Sequence, residues 1–276
     1  MALLNGFVVW LALPVLLFDF VAEADAAAFR LDFVAVFGGA MLLIFAVGLA
    51  AGSGGGLARR SLDALTASYS NTAYLGIPLL TALLGPVGTA AAVAASVLTV
   101  AALFAFSVLL VEVDLHRGHG LARASGRVAR AVLRNPIAAA PLAGALWAAT
   151  GFVLPPPVST FAHLLGASAS PVALVTIGVF LAVPRPRGGG TAALGRIVAL
   201  KLVGQPLATL ALLLVVPLPP AWAASALLLA ALPTGTGPFM VTQLYGKDVA
   251  LAARAILIST SLSLATVSTA AWWLLR

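Results

Sequence analysis

The stretch Asn71-Thr72-Ala73-Tyr74-Leu75-Gly76-Ile77-Pro78 sits inside an apolar segment, residues 62–84, long enough to cross a bilayer. A plain spanning helix has no use for Asn, Thr, Gly and Pro at its centre. Pro78 removes a backbone donor and clashes with the carbonyl four residues back, and Gly76 loosens the same turn. In hydrocarbon a freed backbone group costs several kcal/mol unless protein or a watery cavity satisfies it. Two readings are open at this point. The stretch is a substrate or ion site built on a broken helix, or it is a kinked helix in which Asn71 glues neighbouring helices together.

Composition widens the view from this segment to the whole chain. Of 276 residues, 62% are hydrophobic and 8% charged, against about 25% charged in a soluble domain. The apolar runs are continuous, without the ~10-residue alternation of barrel strands, so the expected fold is an all-α polytopic membrane protein. With no cysteine, disulfides, thiolate metal sites and cysteine nucleophiles are excluded. A net charge of +7 is explained by arginines in loops between spans, and implies no nucleic-acid partner. Met1 runs straight into an apolar segment, so no cleavable signal peptide is expected.

Nine spans are expected: 4–22, 31–52, 62–84, 87–112, 136–154, 157–183, 193–216, 220–244 and 248–275. The second loop carries Arg59 and Arg60, and the fourth Arg117, Arg123, Arg127, Arg130 and Arg134. Arg185 and Arg187 are in the sixth loop and Lys247 in the eighth. The even-numbered loops thus hold nearly all the cations and belong in the cytoplasm, with Met1 inside and Arg276 outside. Arg123, Arg127, Arg130 and Arg134 share one helical face. Their loop reads either as a connector between halves or as a short helix on an anionic leaflet. The expected division is 1–112, a basic connector 113–135, and 136–276.

The two halves share their punctuation. Pro14 in span 1 matches Pro171 in span 6. The Asn71–Pro78 break in span 3 matches Leu232-Pro233-Thr234-Gly235-Thr236-Gly237-Pro238 in span 8. From Pro14 to Pro78 is 64 residues, and from Pro171 to Pro238 is 67. Both pairs lie five spans apart, an odd offset that reverses direction across the membrane. This is the pattern of inverted repeats with paired broken helices found in secondary transporters. The bland alternative is that Pro and Gly are simply frequent in membrane helices.

At these residues the chain resembles the auxin efflux carrier family, as a bacterial member. The resemblance is carried by Ala12-Leu13-Pro14, the Asn71–Pro78 stretch, Arg134-Asn135-Pro136-Ile137, Pro171-Val172-Ala173-Leu174, Lys201-Leu202, Tyr245-Gly246-Lys247-Asp248 and Ser259-Thr260-Ser261-Leu262-Ser263, in the family's order. It implies two inverted five-helix repeats, two broken helices crossing at the midplane, transport of organic anions and no organic cofactor. It also implies a multi-pass protein of the bacterial inner membrane. Two departures stand out. The family's first span is missing, so that nine spans replace ten, and span 8 carries Thr234-Gly235-Thr236-Gly237-Pro238 where many members have Asn.

The expected substrate-binding residues are Asn71, Thr72, Tyr74, Gly76, Pro78, Lys201, Gln205, Thr234, Thr236 and Pro238. A coupling ion, H⁺ or Na⁺, would involve Asp19, Pro14 and Pro171. Lys201 lies roughly 12 Å inside its span, where a Lys costs about 2.5–3.5 kcal/mol on insertion scales. It either balances an anion, pairs with a carboxylate or snorkels to the cytoplasmic face. Gln205, four residues on, shares its face. Arg254 is read as snorkelling, and the Ser259–Ser263 cluster as packing glue. Half-helix N-termini suit a carboxylate and unwound carbonyls a cation. The expected function is a secondary carrier for small organic anions such as carboxylates or auxin-like acids, working by alternating access. A homodimer is compatible with this reading. The alternatives are a passive anion channel and an intramembrane enzyme. The enzyme has little support: His116, His119 and His163 are the only histidines, and no paired carboxylates or metal-binding spacing occur within the spans.

Overall fold

The structure, a computed structural model, describes residues 2–23, 30–52, 54–115, 136–169, 171, 172, 175, 179 and 190–274. The cations expected at Arg117, Arg123, Arg127, Arg130, Arg134, Arg185 and Arg187 lie outside these residues. The described chain is helical, with a single isolated antiparallel bridge between Ser70 and Thr234. Among the described residues, four helical runs are long and apolar enough to cross a membrane: Leu31–Ala51, Thr72–Val97, Thr191–Val215 and Val249–Leu274.

One of these four is not a single rod. Gly85, followed by Pro86, has φ 60° and ψ −142°, a conformation that is nearly glycine's alone. The Thr81 and Thr89 hydroxyls lie 2.7 Å apart. Eight residues of straight helix would separate them by about 12 Å, so the chain folds back at Gly85. The returning arm runs on through Leu98–Leu103 into Phe104–Leu115. Gly85→Ala should cost about 1–3 kcal/mol through backbone strain, read as a lower unfolding temperature in detergent. An unchanged midpoint would mean that the turn relaxes.

Three prolines, among them the Pro78 that the sequence reads as a break, are absorbed without one. The wide π turns Val8–Ala12, Thr72–Gly76 and Leu200–Gly204 each end two residues before a proline, at Pro14, Pro78 and Pro206. A wide turn moves the carbonyls away from the proline ring and re-registers the hydrogen bonds that its missing N–H would leave open. Pro78 is accordingly exposed within a helix.

Two expected spans are interrupted. The first comprises Gly56–Ser68, a break at 69–71, and the run from Thr72 to the turn at Gly85. The second comprises Pro220–Ala231, a break at 232–236, and Gly237–Tyr245. The first break therefore shares only Asn71 with the expected Asn71–Pro78 and extends upstream of it. The second overlaps the Thr-Gly-Thr-Gly-Pro run at Thr234–Thr236 and begins two residues before it, with Gly237 and Pro238 already helical.

Packing follows small residues, as it must where lipid is as apolar as leucine. Ala91, Ala92, Ala94 and Ala95 are buried, as are Ala226, Ala230 and Ala231 on Pro220–Ala231, which packs against Ile77–Val97. Larger apolar groups such as Trp10, Leu42, Leu146, Leu214, Leu264, Trp272 and Trp273 face outward, as lipid contact requires. At one end of the bundle Arg59 pairs with Asp248. There the Ala58 N–H donates to Asp114 Oδ2 at 2.9 Å, and the Tyr245 hydroxyl donates to Glu112 Oε1 at 2.6 Å. Loops two and eight and the end of span 4 therefore meet.

Candidate functional site

The two breaks cross and bond to each other. The Asn71 N–H donates to the Pro233 carbonyl at 2.9 Å, and the Gly235 N–H donates to the Tyr69 carbonyl at 3.1 Å. Each break thus satisfies backbone groups of the other, which is what hydrocarbon demands. Side chains supply the rest. The Thr234 hydroxyl donates to the Thr66 carbonyl at 3.0 Å, in the last turn of Gly56–Ser68. The Thr234 N–H donates to the Ser259 hydroxyl oxygen at 3.2 Å. Ser259, expected as packing glue, therefore serves the break itself.

Close approach of the two segments depends on small residues. The Tyr69 ring lies against Gly235 and Gly237, where an added Cβ would come within 2.8 Å and 2.7 Å of ring atoms. The same ring meets Phe104 edge-on. Gly76 is buried against Leu229 and Leu232 of the other broken span.

A cavity opens beside the crossing, lined by Leu13, Leu16, Tyr69, Ser70, Asn71, Thr72, Ala73, Tyr74, Ala169, Thr236, Gly237 and Met240. Its volume is about 20 Å³, room for water but not for an organic acid. Two helix N-termini face it, one beginning at Thr72 and the other at Gly237. Asn71 and Thr236 occupy the N-cap positions, yet neither side chain caps its helix. The Asn71 amide has no hydrogen-bond partner among the described residues. Two partial positive poles therefore converge on one space with the Asn71 amide and the Thr236 hydroxyl, neither of them bonded among the described residues, an arrangement suited to an anion.

The remaining predicted residues divide into neighbours of this cavity and outliers. Gln205 is fully buried, and its Oε1 accepts from the Ser70 hydroxyl at 3.4 Å. Its Nε2 is buried without a partner among the described residues. Lys201 is also fully buried and does not line the cavity. Its Nζ donates to the Ala230 carbonyl at 2.8 Å, at the C-terminal, negative pole of Pro220–Ala231. It neither snorkels nor meets a carboxylate among the described residues. Tyr74 lines the cavity and its hydroxyl donates to the Gly166 carbonyl at 3.1 Å. Pro238 is buried in the first turn of its half-helix, whereas Pro78 is exposed and away from the cavity. Pro14 and Pro171 sit in helices, adjacent to Leu13 and two residues from Ala169. Asp19 is outside the cavity, bonded to His163.

Sequence reasoning missed Tyr69, Ser70, Leu13, Leu16, Ala169 and Met240. The glycines at 235 and 237 signalled that something presses on them, but not what. Tyr69 and Ser70 precede the stretch on which the proline drew attention.

Interrupted helices that cross inside an apolar bundle, with polar groups at the crossing, are the architecture of secondary transporters. A family model described as "Membrane transport protein" matches residues 1–272. The chain belongs to this family, the auxin efflux carriers, and is an integral membrane protein. A relative from Rhizobium meliloti (strain 1021), named "Putative malonate transporter", is 33% identical over 273 residues, which is 97% of this chain and 85% of that protein.

Proposed function

We propose that the chain is a secondary carrier of small organic anions, with malonate-type dicarboxylates as the leading substrates, working by alternating access. The observation that carries this reading is the convergence of two half-helix N-termini with the free side chains of Asn71 and Thr236. The name of the Rhizobium relative supports the choice of a short dicarboxylate. Thr72, Tyr74, Gln205 and Thr234 form the surroundings of the bound anion, Gly76 and Pro238 keep the crossing tight, and the Lys201 charge raises the local potential. A cavity of about 20 Å³ then corresponds to a state closed around the site, which widens for substrate.

In this reading nine spans form two inverted halves, 1–112 and 136–276, joined by 113–135. The even-numbered loops lie in the cytoplasm, and the contacts joining loops two and eight support their sharing one side. Malonate uptake into proteoliposomes should saturate with concentration and accelerate when unlabelled malonate is preloaded. Flux that rises linearly without counterflow would make the protein a channel and overturn the proposal.

A further inference from the structure

Asp19 and Glu23 stand one turn apart at the end of the first helix, facing Ser159 and His163 on Pro156–Ala167. His163 uses both ring nitrogens: Nδ1 lies 2.8 Å from Asp19 Oδ2 and Nε2 lies 3.1 Å from Glu23 Oε2. The Ser159 hydroxyl donates to Glu23 Oε1 at 2.8 Å and fixes that carboxylate. Asp19 is buried, 5% exposed, and its Oδ1 is buried with no partner among the described residues. The His163 side chain is 58% exposed, so the cluster opens to the surface of the bundle through the imidazole.

Only a doubly protonated imidazole can donate to two carboxylates at once. One ligand atom from each of Asp19, Glu23 and His163 lies within 4.8 Å of the other two, so a metal ion is the competing occupant. The two carboxylates on opposite ring nitrogens favour the imidazolium. When the imidazole loses a proton, one nitrogen turns its lone pair towards a carboxylate. Asp19 and Glu23, four residues apart on one helix, then also repel each other. The contact is therefore held while the imidazole carries both protons and lost when it gives one up. The segments packed against these two helices, Val8–Ala12, Ile77–Val97, Leu98–Leu103 and Pro136–Ala149, carry no titratable side chain, and the Tyr74 phenol that reaches the Gly166 carbonyl is neutral between pH 5.5 and pH 8. Asp19, Glu23 and His163 thus decide the charge of this contact among the described residues.

We infer that Asp19, Glu23 and His163 form a proton-binding site that latches the first helix to Pro156–Ala167 and couples proton binding to the walls of the substrate cavity. Both helices reach that cavity. Leu13 and Leu16 line it from the first. Gly166 packs on Leu16 and accepts from Tyr74 on the other, with Ala169 three residues beyond. The latch thus lies one to two turns past the point where the helices touch. Releasing it frees their ends to part, and the cavity wall with them. Asp19 has a function here distinct from substrate contact. The consequence for transport rests on the carrier reading, but the latch itself does not.

The test uses the full chain in nanodiscs. Because the protein has no cysteine, an Ala22→Cys/Thr160→Cys variant takes nitroxide labels at these two positions alone. Dipolar broadening between the labels should fall at least twofold from pH 5.5 to pH 8. With His163→Gln added, the spectrum should be the same at both pH values. With His163→Lys, a fixed cation, it should stay broadened throughout. A flat response in the parent, a pH response surviving His163→Gln, or a response abolished by EDTA would overturn the proposal, the last in favour of a metal. No substrate enters this measurement, so its outcome is separate from any failure of malonate transport.

Discussion

Asn71→Ala is expected to leave a folded protein that moves malonate far more slowly. The Asn71 backbone holds the crossing together through its N–H on Pro233, and alanine keeps that bond. The side chain is uncommitted, so its loss should change stability by less than about 1 kcal/mol. A hydrogen bond from the amide to a bound carboxylate is worth about 1.5–3 kcal/mol, so initial uptake rates should fall about 10- to 150-fold at subsaturating malonate. Size-exclusion and thermal unfolding profiles in detergent should match the parent. Normal uptake would return Asn71 to the role of interhelical packing.

Lys201→Met separates stability from function in the opposite sense. The ammonium is fully buried on a single carbonyl, that of Ala230. Burying a charge without a partner charge is costly, and replacement by an apolar side chain of similar size is often neutral or stabilising. The unfolding midpoint should therefore hold or rise. Uptake should nevertheless fall at least about tenfold, because the positive charge beside the crossing attracts the anion and a loss of about 1.4 kcal/mol suffices. A variant that is less stable and transports normally would show that Lys201 serves only the end of its half-helix.

Local chemistry in the sequence is a reliable guide here where one residue type has one use, and a poor one where neighbours decide. Thr234-Gly235-Thr236 is unwound as expected, while Gly237 and Pro238 already open the next half-helix, where proline is tolerated in the first turn. Pro78 misleads, because a π turn at Thr72–Gly76 absorbs it and the unwinding moves to 69–71. The residue that forces the glycines apart from larger side chains is Tyr69, whose ring arrives from a different span. Lys201 and Gln205 read as a functional pair from their spacing. Their partners, Ala230 and Ser70, are 29 and 135 residues away and leave no trace in local pattern. The same holds for Asp19 and His163. Asp19 stands out as a candidate for a coupling ion, but only the packing of Leu13–Ala22 on Pro156–Ala167 gives it His163 as a partner.

The central claim is that an anion binds where the two breaks cross. Electron cryomicroscopy of the full chain in nanodiscs with saturating malonate, stiffened by a bound antibody fragment, reads this directly. The account predicts ligand density between the starts of the two half-helices at Thr72 and Gly237, within hydrogen-bond reach of the Asn71 amide and the Thr236 hydroxyl, in a cavity wider than the present one. Malonate density elsewhere in the bundle, with the crossing still closed, would contradict it.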